Sequence, residues 1–263
     1  MFGGFVGSNN EQGAAWGENL LSTVATNTLR HLFTRSEAVD VTVRCQPPSK
    51  LLQGSIDNFR MLGRGLVIRR EFRTEELSFE TDAVAIDFTS VLKGQLALKQ
   101  PTQAVAQVKL TETDINQAFQ ADLVRQRLEN LTAPQLTDLS GGLPVSFTDV
   151  ELRILPHNRI QLYALADLTN RKIPVSFSCK LGLVKRRRIT YEEAQFEPER
   201  VPEGDRDLSA ILTNILVEIM NDMVDLDRFN LDGVLLRLNR LETQGKDLLF
   251  SGYAQIERIP SKG

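Results

Sequence analysis

Long runs in which apolar and polar residues alternate, joined by short stretches of turn chemistry, constrain this chain more than any other feature. The run EAVDVTVRC keeps Val41, Val43 and Cys45 in one phase, and Gly54 to Leu110 is again mostly strand-like. VSFTDVELRILPHNRIQLYALADL sets two alternating runs either side of Pro156-His157-Asn158-Arg159. KIPVSFSCKLGLVKRRRITYEE keeps Ile173, Val175, Phe177, Cys179, Leu181 and Leu183 on one face. A last hairpin, GVLLRLNRLETQGKDLLFSGYAQIERI, turns at Gln244-Gly245-Lys246-Asp247. A period of two marks a half-buried strand, and strands joined by short turns pair antiparallel. Parallel pairing needs a crossover, usually helical, between strands, and the chain has too few helices for that. The class that follows is α+β, with the helices covering one face of the sheet. Gly63, Gly65 and Gly94 suit bulges or sharp bends, and FTSVLKG reads as a single helical turn ended by Gly94.

Three segments show helical spacing instead. Residues 13–34 carry Trp16, Leu20, Leu21, Val24, Ala25, Leu29, Leu32 and Phe33 on one side. In QVKLTETDINQAF the period changes within about four residues: a strand ends at Leu110, and Ile115, Ala118, Phe119, Leu123 and Leu128 recur at helical intervals. Thr111 and Asp114 have the spacing of an N-terminal cap, which predicts a helix from Glu112 to Leu131. The widest stripe lies in RDLSAILTNILVEIMNDMVDL, from Leu208 through Ile211, Leu212, Ile215, Leu216, Ile219, Met220 and Met223 to Val224.

Composition narrows the function classes. A net charge of −3 gives no general reason to expect nucleic acid. No stretch reaches the roughly 18–20 apolar residues of a membrane span. The first basic residue is Arg30, so the opening lacks the n-region of a secretory signal, and a cytoplasmic chain is expected. Cys45 and Cys179 fall on apolar phases and read as buried, inert thiols. His31 and His157 have no companions at metal-ligand spacing and read as structural or solvated. A nucleophile elbow, a phosphate-binding loop and a dinucleotide fingerprint are all missing, Glu192-Glu193 reads as solvated charge, and neither an enzyme nor a cofactor is indicated.

The strand ending in VKLTETDIN, the pair around VELRILPHNRIQLYALADL and the terminal LDGVLLRLNRLETQGKDLLFSGYAQI resemble the LmeA-like family of bacterial phospholipid-binding proteins. The likeness runs from about residue 13 to residue 259, and the turn from Leu110 to Asn116 is its most recognisable piece. It implies a tubular lipid-binding fold: a long, strongly bent antiparallel sheet wrapped around long amphipathic helices, with an apolar groove. It also implies one lipid-binding domain over 13–259, between a flexible N-terminus at 1–12 and a tail at 260–263. The better-known relatives are exported; this chain looks closer to signal-less, cyanobacterial-type members, which places it in the cytoplasm, peripheral to an internal membrane.

With that resemblance, the groove lining expected is Ile115, Phe119, Leu212, Ile215, Ile219 and Met223, with Val175 and Phe177 from the sheet. Each would touch an acyl chain, which binds by burial at about 0.8 kcal/mol per methylene. The partner is then a membrane lipid. Lys185, Arg186, Arg187 and Arg188 form the one dense basic cluster, suited either to anionic headgroups or to pairing with the acids between Glu192 and Asp205. Phe2, Phe5 and Val6 could enter a membrane surface, although a disordered terminus is favoured. The rival reading is a non-enzymatic interaction protein whose filled core leaves only the curved sheet to bind another protein.

Overall fold

The computed structural model describes residues 9–47, 49–68, 71–168, 170–228 and 233–258, with side chains from Gly17 onward. Phe2, Phe5, Val6, the Trp16 side chain and the tail at 260–263 lie outside the described residues. Helix α1 (Asn9–Arg30) begins within the stretch expected to be a flexible terminus. It leads to β1 (Ala38–Arg44), the short α2 (Ser49–Leu52), β2 (Ser55–Ile56), β3 (Asn58–Ile68) and β4 (Phe72–Thr81). Next come β5 (Val84–Ala85), α3 (Phe88–Leu92) and β6 (Thr102–Thr111). Three short helices, α4 (Glu112–Ala118), α5 (Asp122–Arg125) and α6 (Pro134–Thr137), carry the chain to β7 (Ser146–Leu155). Strands β8 (Arg159–Asp167), β9 (Lys172–Val184) and β10 (Arg188–Phe196) follow, then α7 (Arg206–Met223), β11 (Val234–Gln244) and β12 (Asp247–Ile256).

The architecture is α+β, and the pairing is antiparallel. One long sheet was expected; instead there are two open ones and a two-strand ladder. Six strands run in the order β1-β3-β4-β6-β12-β11, four in the order β10-β9-β8-β7, and β2 pairs with β5. The split follows from the route of the chain. After β6 the three short helices carry it out of the first sheet, and it returns only at β11 and β12. Strand β12 then lies directly beside β6, with Asp247 opposite Thr111 and Ile256 opposite Thr102. The four-stranded sheet and α7 are therefore an insertion between two neighbouring strands.

The helix expected over 112–131 is also corrected. It stops at Ala118, where the Gln120 and Ala121 N–H groups turn to carbonyls three residues back, and helix resumes only for the single turn of α5. Phe147 N–H donates to Leu128 O at 2.8 Å, and Leu131 and Val145 exchange bonds at 2.8 and 3.0 Å. These contacts tie the segment to the start of β7 and bury Leu128.

Turn chemistry closes the hairpins. His157 (φ 60°) and Asn158 (φ 59°) both sit in the left-handed region, and Arg159 N–H reaches Pro156 O at 3.3 Å. Lys185 (φ 51°) and Arg186 (φ 58°) repeat this arrangement between β9 and β10. Two positive φ values make the type I′ turn whose twist matches a hairpin. The basic cluster is thus the tip of a hairpin that alternation alone left as one continuous run. Gly94 (φ 76°) ends α3 as expected.

Burial divides into two clusters. In one, Leu21, Ala25 and Leu29 of α1 pack over Val39, Val43 and Met61. In the other, Leu212, Leu216 and Met220 of α7 press on Val175, Phe177 and Cys179 of β9. Each large side chain so buried contributes about 1.5–3 kcal/mol. Leu241 and Leu248 join the second cluster from the six-stranded sheet, so the two sheets meet at that end.

Candidate functional site

Where the sheets meet, the interior is not filled. A cavity of about 400 Å³ lies between them, roofed by α4 and the end of α7. Leu110, Leu248 and Phe250 form the wall from the six-stranded sheet, with Phe72 from the start of β4. Leu152, Ile154, Ile160 and Leu181 come from the facing sheet, and Ile189 and Tyr191 from β10. Ile115, Ala118 and Phe119 close one side, and Met220, Met223 and Val224 the other. Of the nineteen lining residues only Tyr191 and Arg127 carry a polar side-chain group.

The segment from Leu110 to Asn116 builds one wall and holds it in place. Leu110 and Ile115 face the cavity. Thr111 caps α4: its Oγ1 accepts from Asp114 N–H at 3.1 Å, and Asp114 Oδ2 accepts from Thr111 N–H at 2.9 Å. Asp114, only 2% exposed, also takes Arg73 Nη1 at 2.8 Å, which ties the helix to β4. The Asp114, Glu75 and Glu37 carboxylates together hold the Arg73 guanidinium further toward its charged form. Asn116 reaches the other sheet: its Nδ2 donates to Leu152 O at 2.9 Å, and its Oδ1 accepts from Leu152 N–H at 2.7 Å. Glu112 Oε2 accepts from Ile154 N–H at 2.8 Å. Strand β7 is an edge, so these side chains satisfy the backbone groups that an edge exposes.

The expected lining residues divide. Ile115, Phe119 and Met223 face the cavity together. Leu212, Ile215, Val175 and Phe177 do not: they are packed in solid core between α7 and β9, and Ile219 lies partly buried against the same cluster. One helical stripe is therefore core along its first turns and cavity wall along its last. Sequence reasoning missed Phe72, Tyr191, Phe250 and Arg127. The inner phase of β12 carries Leu248 and Phe250, which alternation could have supplied; Tyr191 and Phe72 depend on which sheet faces which.

Tyr191 and Arg127 are the polar exceptions. Burial pushes the Tyr191 phenol well above its ordinary range, so it stays neutral. Its backbone N–H is held by Asn221 Oδ1 of α7 at 2.8 Å. Arg127 is exposed at the cavity's edge, and no carboxylate among the described residues pairs with it.

The basic cluster is engaged within the protein. Arg186 bonds to Asn239, and its carbonyl accepts from Leu238 N–H at 2.7 Å, which fastens the β9–β10 turn to edge strand β11. Arg187 pairs with Asp227, and Asp227 also takes Arg237 at 2.7 Å; these contacts hold the Asp227 carboxyl below its usual range. Arg188 bridges through its backbone to Asp225, whereas Lys185 is exposed at the turn. The acids that pair with the cluster are thus not those between Glu192 and Asp205.

Cys45 and Cys179 are free and buried, and burial pushes the Cys179 thiol up to about 12. Among the described residues no helix is long and apolar enough to cross a membrane.

No individual curated protein matches the chain. The family model of LmeA-like phospholipid-binding proteins matches residues 13–252, a span that takes in both sheets up to the middle of β12, the helices between them and every residue of the cavity wall. The chain belongs to the LmeA-like phospholipid-binding family.

Proposed function

We propose that this protein holds one acyl chain of a phospholipid in the cavity between its sheets and hands it to, or takes it from, a membrane. The observation that carries this reading is the lining: seventeen of nineteen residues are hydrocarbon or thioether at the cavity wall. Membership of a phospholipid-binding family agrees with it. In this reading the two sheets and the helices between them are the tubular, groove-bearing arrangement of that family, and catalysis is no part of the role.

Size decides between one chain and two. If a methylene takes about the volume of a water molecule, ~30 Å³, a cavity of about 400 Å³ accommodates roughly a dozen of them. A dozen methylenes at about 0.8 kcal/mol each give on the order of 10 kcal/mol before the cost of association. One chain fills the space, and a second would remain outside. Ile115, Phe119 and Met223 are proposed as acyl contacts. Leu212, Ile215, Ile219, Val175 and Phe177 support the wall from behind. Arg127 stands where a headgroup phosphate would emerge, and the neutral Tyr191 phenol can meet an ester carbonyl without bringing charge into the cavity.

The test is a variant that fills the space. Ala118→Trp adds bulk to the wall without adding charge. Native mass spectrometry of the wild type should show a co-purifying lipid of near-stoichiometric amount, and the variant should carry less than about a tenth of it at a similar melting temperature. A wild-type protein that stays lipid-free after incubation with vesicles would refute the reading.

A further inference from the structure

At the end of the six-stranded sheet away from the cavity stand the two most exposed large apolar side chains among the described residues. Leu52 is 72% exposed and Leu92 is 62% exposed. From Leu110 at the cavity to Thr102 at this end, β6 spans about 27 Å. Leu52 closes α2, just after β1, and Leu92 closes α3, just before β6.

Both short helices belong to one knot of chain. Strand β2 pairs with β5, Ile86 N–H donates to Gly54 O at 2.7 Å, and Lys99 Nζ donates to Gln53 O at 3.3 Å. Gly54 has φ +78°, and a Cβ there would meet Ile86 O at 2.3 Å, so the chain crosses itself too closely for any other residue. Leu51 and Val91, the neighbours of the exposed pair, are buried at 4% and 1%. The inward positions of both helices are filled. Leu52 and Leu92 are the outward residues of a fixed scaffold.

The charges at this end are arranged to match. Asp57 is taken by Lys50 at 2.7 Å and by Gln46 N–H at 2.6 Å, and Asp87 caps α3 through Thr89 N–H and Ser90 Oγ. Asp82 remains exposed in the turn before β5. Against it, and against Glu80, which accepts from Asn58 Nδ2 at 3.0 Å, stand the exposed Lys93, which pairs with no carboxylate among the described residues, and the exposed Lys99, whose charge acts on Asp87 without a direct ion pair. Two leucines offer far less than the roughly 1,000 Å² that a stable protein interface buries. They are enough for shallow, reversible insertion at a lipid interface, where neighbouring lysines reach the phosphates.

We propose that the α2–α3 end docks on a phospholipid bilayer, with Leu52 and Leu92 entering the acyl boundary and Lys93 and Lys99 facing the headgroups. The choice of a bilayer as the partner rests on the lipid-holding reading of the cavity. Docking then falls on these loops and not on the Lys185–Arg188 turn.

Flotation with phosphatidylcholine vesicles containing phosphatidylglycerol tests this directly. The wild type should float, and the L52S/L92S double variant should lose about tenfold or more of its vesicle-bound fraction. Ile211→Ser, which changes an exposed apolar residue on α7, should float like the wild type. The proposal is overturned if the double variant floats normally, if the wild type does not float, or if Ile211→Ser loses as much. Leu52→Cys carrying an environment-sensitive dye should shift to the blue on vesicles; the two native thiols are buried and leave this site alone to label. No shift would count against the proposal equally. Monomeric lysophospholipid separates the two readings. It should bind the double variant as well as the wild type, since it reaches the cavity without a bilayer. If it binds neither protein while the wild type still floats, the cavity reading fails and the docking stands.

Discussion

Leu110, Thr111, Glu112, Asp114, Ile115 and Asn116 divide three tasks among them within seven residues. Two face the cavity, two cap a helix, and Glu112 and Asn116 bond the backbone of another sheet. Asp114 is the most committed of them, because its carboxylate serves Thr111 and Arg73 together while almost fully buried. Asp114→Ala leaves Arg73 without this partner and α4 without half its cap, and should cost about 2–4 kcal/mol in urea unfolding. Thr111→Ala removes the cap alone and should cost about 1 kcal/mol. An Asp114→Ala loss no larger than that of Thr111→Ala would show that the Arg73 bond contributes nothing. The cap was legible in the sequence, since Thr111 and Asp114 are three residues apart. The bonds to Arg73 and Leu152 were not, because those partners lie 41 and 36 residues away and carry no local signal.

Single elements show how one pattern can serve two ends. The apolar stripe of α7 is continuous in sequence, yet Leu212 and Leu216 are core while Met223 and Val224 face open space. Periodicity reports that a face is covered and is silent on what covers it. For the same reason Ile215, Val175 and Phe177 read as groove lining and proved to be packed on one another's elements. The β7–β8 hairpin was fully legible from Pro156 to Arg159, but its fastening was not. Asn158 donates from Nδ2 to Leu241 O at 3.1 Å and accepts from Thr243 N–H at 2.9 Å, which clips the turn onto the edge of the other sheet. Asn158→Gly keeps the left-handed turn and removes the clip; Asn158→Ala removes both. The glycine variant should lose about 1–2 kcal/mol and the alanine variant about 1 kcal/mol more. Equal losses would show that the turn geometry costs alanine nothing.

At the scale of the whole molecule, the α+β class and the β7–β8 and β11–β12 hairpins were readable, because alternation broken by turn chemistry shows where a strand folds back on itself. The division into two sheets was not, because alternation does not say which strand returns to which sheet. That division decides the rest: β12 returns beside β6, the insertion folds over it, and two apolar faces come together around space. The lining has a consequence for heat. Water in a cavity walled by seventeen apolar residues has few partners, and releasing it restores hydrogen bonds in the bulk. Titration of a single-chain lipid into delipidated protein should therefore be exothermic near room temperature and become more so on warming, the mark of a negative heat-capacity change. Ala118→Trp should abolish both the signal and its slope. The temperature slope of that heat reports the apolar area covered by the chain, a quantity that no single contact in the wall supplies.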